Sequence, residues 1–178
     1  MNIWHDISKD RINENDFVAV IEIERGSKKK YELDKATGFL SLDRVLYTST
    51  HYPANYGFIP RTYAEDDDPL DVLVLCSEPI EPMVLVRCFP IGVITMVDNL
   101  RNDEKIIAIP FGDPMYSGYT DISELPQHIF NEMKHFFTVY KALEGMETAV
   151  EKVEHRDAAI NIIKNSIIRY NEKIGGLF

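Results

Sequence analysis

Four aspartates fall within six residues in Glu65-Asp66-Asp67-Asp68-Pro69-Leu70-Asp71, which runs directly into the apolar stretch Val72-Leu73-Val74-Leu75. Carboxylates at this density supply hard oxygen ligands for divalent cations, or a base for an attacking water. Pro69 disfavours helical geometry at Asp68, so Asp66 and Asp68 can point to one side while a turn at Pro69 can bring Asp71 round to join them. By itself the tetrad reads more readily as a solvated acidic turn. An EF-hand fits worse, because Pro69 and the missing turn glycine break that ligand pattern and no glutamate closes it. A second acidic loop, Asp98 to Lys105 with Asp103 inside it, lies about thirty residues on, again at the mouth of an apolar strand. Alone it is an ordinary polar hairpin. Two such loops at strand ends could share one cleft in which hard cations bridge phosphate oxygens and lower the pKa of a bound water.

Other residues qualify as anion ligands but carry plainer readings as well. His51 to Pro60 places Tyr52 and Tyr56 four apart around a turn, where their hydroxyls can face an anion or their rings can simply pack. Lys28-Lys29-Lys30 reads first as a solvated face, although Lys30 and Glu32 alternate with Tyr31 and can share one side of a strand. Arg44 follows Asp43 at a strand end, and Tyr140-Lys141 lies late in a helix. The five histidines show no metal-ligand spacing; His128 and His135 share a helix face as surface or satisfied core groups. Cys76 and Cys88 sit in strand-like runs and read as buried reduced thiols.

The elements that must position these groups change character midway. From Asp16 to about Pro110, short apolar or alternating segments (17–23, 31–33, 39–42, 71–76, 84–97, 106–109) are separated by turn residues, which predicts an antiparallel β unit, closed or nearly so. After Ser123 the period becomes helical. Ile129, Met133, Phe136, Phe137 and Tyr140 mark a helix ending near Gly145, and Ile160, Ile163, Ile167, Tyr170 and Ile174 mark a second over 157–173, closed by Gly175. The class is therefore α+β, helices on a barrel, with 178 residues forming one domain over 1–178. The formal charge of −10 disfavours broad nucleic-acid contact, but not a small phosphate-bearing substrate brought in by cations. Residues 1–10 lack the apolar core of a signal peptide and the uncharged run 88–97 is too short to cross a bilayer, so the expectation is a cytoplasmic protein with no membrane contact.

These blocks resemble the soluble inorganic pyrophosphatases, whose hallmark D-x-D-P-x-D is matched by Asp66 to Asp71. The resemblance extends from Val20 to about Tyr170 and takes in Ile21-Glu22-Ile23, Lys30-Tyr31-Glu32, Asp43-Arg44, Tyr52-Pro53-x-Asn55-Tyr56-Gly57, Asp98 with Asp103-x-Lys105, and His135-Phe136-Phe137-x-x-Tyr140-Lys141. It implies an OB-like five-stranded antiparallel barrel flanked by two main helices, several Mg²⁺ ions, pyrophosphate as substrate, and a homo-oligomer, hexameric in the compact form. Carried over by position, Asp66, Asp71 and Asp103 are ligands of the activating metals, Asp98 is a ligand of metals arriving with substrate, and Asp68 is the general base. Lys30, Arg44, Tyr56, Lys105, Tyr140 and Lys141 bind pyrophosphate, with Glu22, Glu32 and Tyr52 in support. Three departures, Asn99 in place of a glutamate, Glu24 in place of a proline, and no lysine-tryptophan pair within 147–156, resemble the plant-like branch. Two rival readings remain, an OB-like nucleic-acid module and a nucleotide phosphohydrolase. The first lacks an aromatic basic strand face and the second a Gly-rich phosphate loop.

Overall fold

The computed structural model describes residues 2–98 and 101–174. Among these residues nine strands and three α-helices follow in the order α1 (Ile3–Asp6), β1 (Ile12–Asn13), β2 (Asp16–Ile23), β3 (Lys29–Leu33), β4 (Leu40–Val45), β5 (Asn55–Ile59), β6 (Leu70–Val74), β7 (Leu85–Asp98), β8 (Arg101–Pro110), α2 (Gln127–Val139), β9 (Ala149–His155) and α3 (Arg156–Lys173). β2 pairs with both β5 and β7, β5 with β6, and β8 with both β6 and β7, which closes a ring of five strands. Every pair in the ring is antiparallel except β6 and β8, which run parallel. β1 and β9 continue the sheet beyond the ring, and β3 and β4 form a separate hairpin.

The apolar strand runs are explained by burial on two faces. On β6, Val72 and Val74 join a core with Val93, Ile106, Ala159 and Ile163 of α3, whereas Leu73 joins one with Ile107, Phe136 and Phe137 of α2. A strand covered on both sides needs side chains of one kind throughout, because successive residues point to opposite faces. By the same period Asp71 falls on the α2 side with Leu73.

Two register shifts redirect side chains. On β2, Ile21 faces Gly57 and Ile23 faces Tyr56, so Glu22 is the extra residue of a bulge. On β4, Arg44 faces Lys30 and Leu42 faces Tyr31, which leaves Asp43 in the same position. Gly57 is required beside the first bulge: a Cβ there would lie 1.9 Å from the Val20 carbonyl oxygen.

The expected ring and both main helices are present, and the differences are local. The helix foreseen from Ser123 begins at Gln127, because Pro126 keeps its predecessor extended; residues 122–124 form a single 3₁₀ turn in which Asp121 accepts from the Ser123 amide. Its C-terminal part, residues 142–144, is again 3₁₀ and stops at Gly145, whose φ of 76° provides the left-handed cap. Tyr56 lies on a strand rather than in a turn, and β9, whose side chains are mostly exposed, had no apolar pattern to announce it. The proposed cap at Gly175 lies outside the described residues.

Candidate active site

A cleft of about 330 Å³ opens where the ends of the parallel pair β6 and β8 meet the β3–β4 hairpin, the bulge of β2 and the end of α2. Its lining includes Glu22, Lys30, Glu32, Tyr56, Asp66, Asp68, Asp71, Asp103, Lys105, Tyr140 and Lys141. Residues separated by more than a hundred positions in the chain thus converge on one small space.

The centre is an ion-pair network. Asp71 and Lys105 are register partners on the parallel strands. Lys105 Nζ donates to Asp71 Oδ2 at 2.7 Å, to Asp103 Oδ1 at 2.9 Å and to the Tyr56 hydroxyl at 3.3 Å. Tyr56 donates its phenolic proton to Asp71. The ammonium also lies 5.2 Å from the ring centroid of Phe137, at the end of α2. Burial disfavours the charge on Lys105, but Asp103 and Asp71 outweigh it and hold the ammonium well above the usual lysine range. Burial pushes Asp71 up despite the opposing pull of Lys105.

The outer wall belongs to the hairpin. Lys30 is bound to Glu32 on its own strand and lies 3.4 Å from Asp43. Glu22, aimed inward by the bulge, accepts from the Leu33 amide at 3.0 Å. Burial, and after it the nearby Asp71, push its carboxyl up to about 8. Asp66 is also raised, chiefly by burial, although it accepts from the Asp68 amide at 3.2 Å. In all three carboxyls burial is the first cause of the rise, with a neighbouring carboxylate adding to it.

Not every residue singled out in the sequence reaches this space. Arg44 is the cross-strand partner of Lys30, yet its guanidinium pairs with Asp43 and, at 2.6 Å, with Glu144, and it does not line the cleft. Tyr52 is buried behind Tyr56, with ring centroids 5.4 Å apart, and packs on Phe136 at 4.8 Å. Asp98 ends β7 opposite Arg101, but its side chain and the whole of Asn99 lie outside the described residues. His128 and His135 line a different cavity together with His51. Cys88 is buried and Cys76 half-buried, both as free thiols. Lys35 was missed: it lines the cleft and pairs with Asp68. A lysine in an Asp-Lys-Ala-Thr-Gly turn has no sequence signature that separates it from any surface lysine.

The oxygen donors of these carboxylates suit hard divalent cations. Among the described residues no three acidic, histidine or cysteine groups are gathered closely enough to hold an ion as they stand. Lys105 bridges the Asp71 and Asp103 carboxylates instead.

Known proteins share this arrangement of sequence and fold. The family model of inorganic pyrophosphatases matches residues 19–171. A soluble inorganic pyrophosphatase of Chlamydomonas reinhardtii is 49% identical over 95% of this chain and 88% of its own, and one of Solanum tuberosum is 47% identical over 96% and 81%. The crystal structure of the inorganic pyrophosphatase from Thermus thermophilus superposes with a TM-score of 0.90 at 38% identity, covering 96% of this chain and 99% of that one.

Proposed function

The chain belongs to the inorganic pyrophosphatase family and hydrolyses pyrophosphate to two orthophosphates, and from that premise we propose that the cleft described above carries out the reaction with several Mg²⁺ ions. One observation carries this reading. Among the described residues the cleft is lined by six acids, Glu22, Glu32, Asp66, Asp68, Asp71 and Asp103, against four lysines, Lys30, Lys35, Lys105 and Lys141. Even with Glu22 protonated, its balance is negative, so a polyanion enters only in company with added cations.

Asp66, Asp71 and Asp103 would hold the activating ions, and Asp98 would hold those arriving with substrate. When bound, the ions supply Lewis-acid activation of water and neutralise charge on the departing phosphate. Asp68, at the mouth of the cleft, accepts a proton from the attacking water. The water oxygen forms a bond to one phosphorus as the bridging P–O bond breaks. Lys30, Lys141 and the Tyr140 hydroxyl receive the phosphoryl oxygens, with Arg44 behind Lys30, while Lys105 and Tyr56 fix the orientation of Asp71. Glu22 and Glu32 support this array, and Tyr52 backs Tyr56.

Phosphate release from pyrophosphate and from nucleoside triphosphates, each with Mg²⁺, with Ca²⁺ and in chelator, tests the reading. Turnover of pyrophosphate in Mg²⁺ only is the expected result, because the looser coordination of Ca²⁺ misplaces the water. Substantial hydrolysis in chelator or in Ca²⁺ alone would overturn it.

We also propose that residues 1–178 act as one catalytic domain in a cytoplasmic homo-oligomer, a hexamer, with no nucleic-acid or membrane partner. The −10 charge supports the first exclusion. For the second, among the described residues no helix is long and apolar enough to cross a membrane. Light scattering that reports a monomer at micromolar concentration would contradict the assembly.

A further inference from the structure

The two walls of the cleft are joined by a side chain to which the reading above gives no chemical part. Lys35 sits in the turn between β3 and β4, where Asp34 Oδ1 accepts from the Ala36 amide at 2.9 Å and the Gly38 amide donates to the Asp34 carbonyl at 2.7 Å. The turn is held further by Asn2, whose side-chain amide donates to the Lys35 carbonyl at 2.7 Å. From this fixed base the Lys35 ammonium passes 5.9 Å from the Trp4 ring centroid and reaches the opposite wall. There it pairs with the Asp68 carboxylate and lies 3.4 Å from the Asp67 carbonyl oxygen. The aspartate loop is braced on its own side, with Asp67 at a φ of 71° and its carboxylate accepting from the Tyr63 hydroxyl at 2.9 Å. The Asp68 carboxylate, about half exposed, is held across the cleft by its pairing with Lys35.

We propose that Lys35 is a positioning residue for the hydrolysis, orienting the Asp68 carboxylate toward the attacking water and tying the hairpin that carries Lys30 to the loop that carries the base. This rests on the assignment of Asp68 as the proton acceptor. An exposed pair contributes little to stability, so replacing Lys35 leaves the fold intact and its effect falls on the reaction. A misdirected base, by contrast, costs rate steeply.

The test uses Lys35→Met, Lys35→Arg, Asp68→Asn and the double variant Lys35→Met/Asp68→Asn, with thermal unfolding as a check on folding. The expected result is a kcat about 10- to 100-fold lower in Lys35→Met with KM nearly unchanged, recovery of most of the rate in Lys35→Arg, and no additional loss when Lys35→Met is placed on Asp68→Asn. A raised KM at unchanged kcat would make Lys35 a substrate-binding cation, and a full multiplicative loss in the double variant would show that it acts elsewhere; either result overturns the proposal. If Asp68→Asn is impaired but Lys35→Met is not, only this inference fails. If Asp68→Asn retains the parental rate, the assignment of the base fails and the inference with it.

Discussion

Lys105 and Asp71 face each other across the parallel strand pair, with 2.7 Å between Nζ and Oδ2, and the lysine is almost wholly buried. Lys105 also holds Asp103, so one ammonium compensates two carboxylates. Lys105→Met should therefore destabilise the metal-free protein by about 3–5 kcal/mol, since it leaves both acids without their partner. Added Mg²⁺ should recover a large part of that loss. Denaturant unfolding with and without the ion checks both statements, and a loss below about 1 kcal/mol would contradict the first.

The raised Glu22 carboxyl sets a pH dependence in the metal-free state. Its value is about 8 in the folded chain against an ordinary 4.5, so between these values the folded state binds the extra proton. Stability from this group is complete below pH 4.5 and is lost as pH rises through 8. Glu22→Gln, which keeps the shape without the charge, should flatten the stability profile across that window and be more stable than the parent at pH 8. Equal slopes in the two proteins would place the pH dependence elsewhere.

Asp68 and Asp71 should fail differently when each becomes asparagine. Asp68→Asn should lower the rate by about 10² to 10⁴ with metal affinity retained, because it removes a proton acceptor. Asp71→Asn, changed at the centre of the charge network, should lose metal affinity as well. Calorimetric titration of Mg²⁺ into both variants separates the roles, and equal affinities would refute the division.

Gly57 tests how the scaffold delivers Glu22 and Tyr56 together. Its missing Cβ is what lets β5 approach the Val20 carbonyl of β2. Gly57→Ala forces two backbones apart and should cost at least about 1–3 kcal/mol, the range for overpacked sites. Activity should fall with stability, since the strands that separate carry the bulge and the tyrosine. Retention of the parental melting temperature would show that the strands have room to give.

Much of this was legible in the sequence where one physical signal dominated. The apolar runs of β2, β6, β7 and β8 read as strands and are strands, whereas the turn expected at Pro69 falls earlier, over 65–68, with Asp67 at a φ of 71° and β6 already beginning at Leu70. What escaped depends on pairing between distant segments. Nothing local marks Glu22 as a bulged residue, because the bulge exists only relative to β5. Arg44 reads like Lys30 in the sequence, yet Glu144, one hundred residues later, draws its guanidinium away from the cleft. The β9 strand joins the sheet through backbone hydrogen bonds to β7 with few buried side chains, so hydrophobic periodicity could not find it.

Closing five strands into a ring also governs how molecules meet at high concentration. A sheet grows between chains by adding strands to unpaired edges. In the seven-stranded sheet the ends are β1, only two residues long, and β9, which carries Glu151, Lys152 and Glu154 in near succession. The first is too short to template a neighbour and the second is guarded by charge, so fibrous growth from this sheet is disfavoured. In the proposed oligomer, contacts through this sheet would then be made by side chains on its outer surfaces, where they can be specific, rather than by the backbone, where any extended segment would serve.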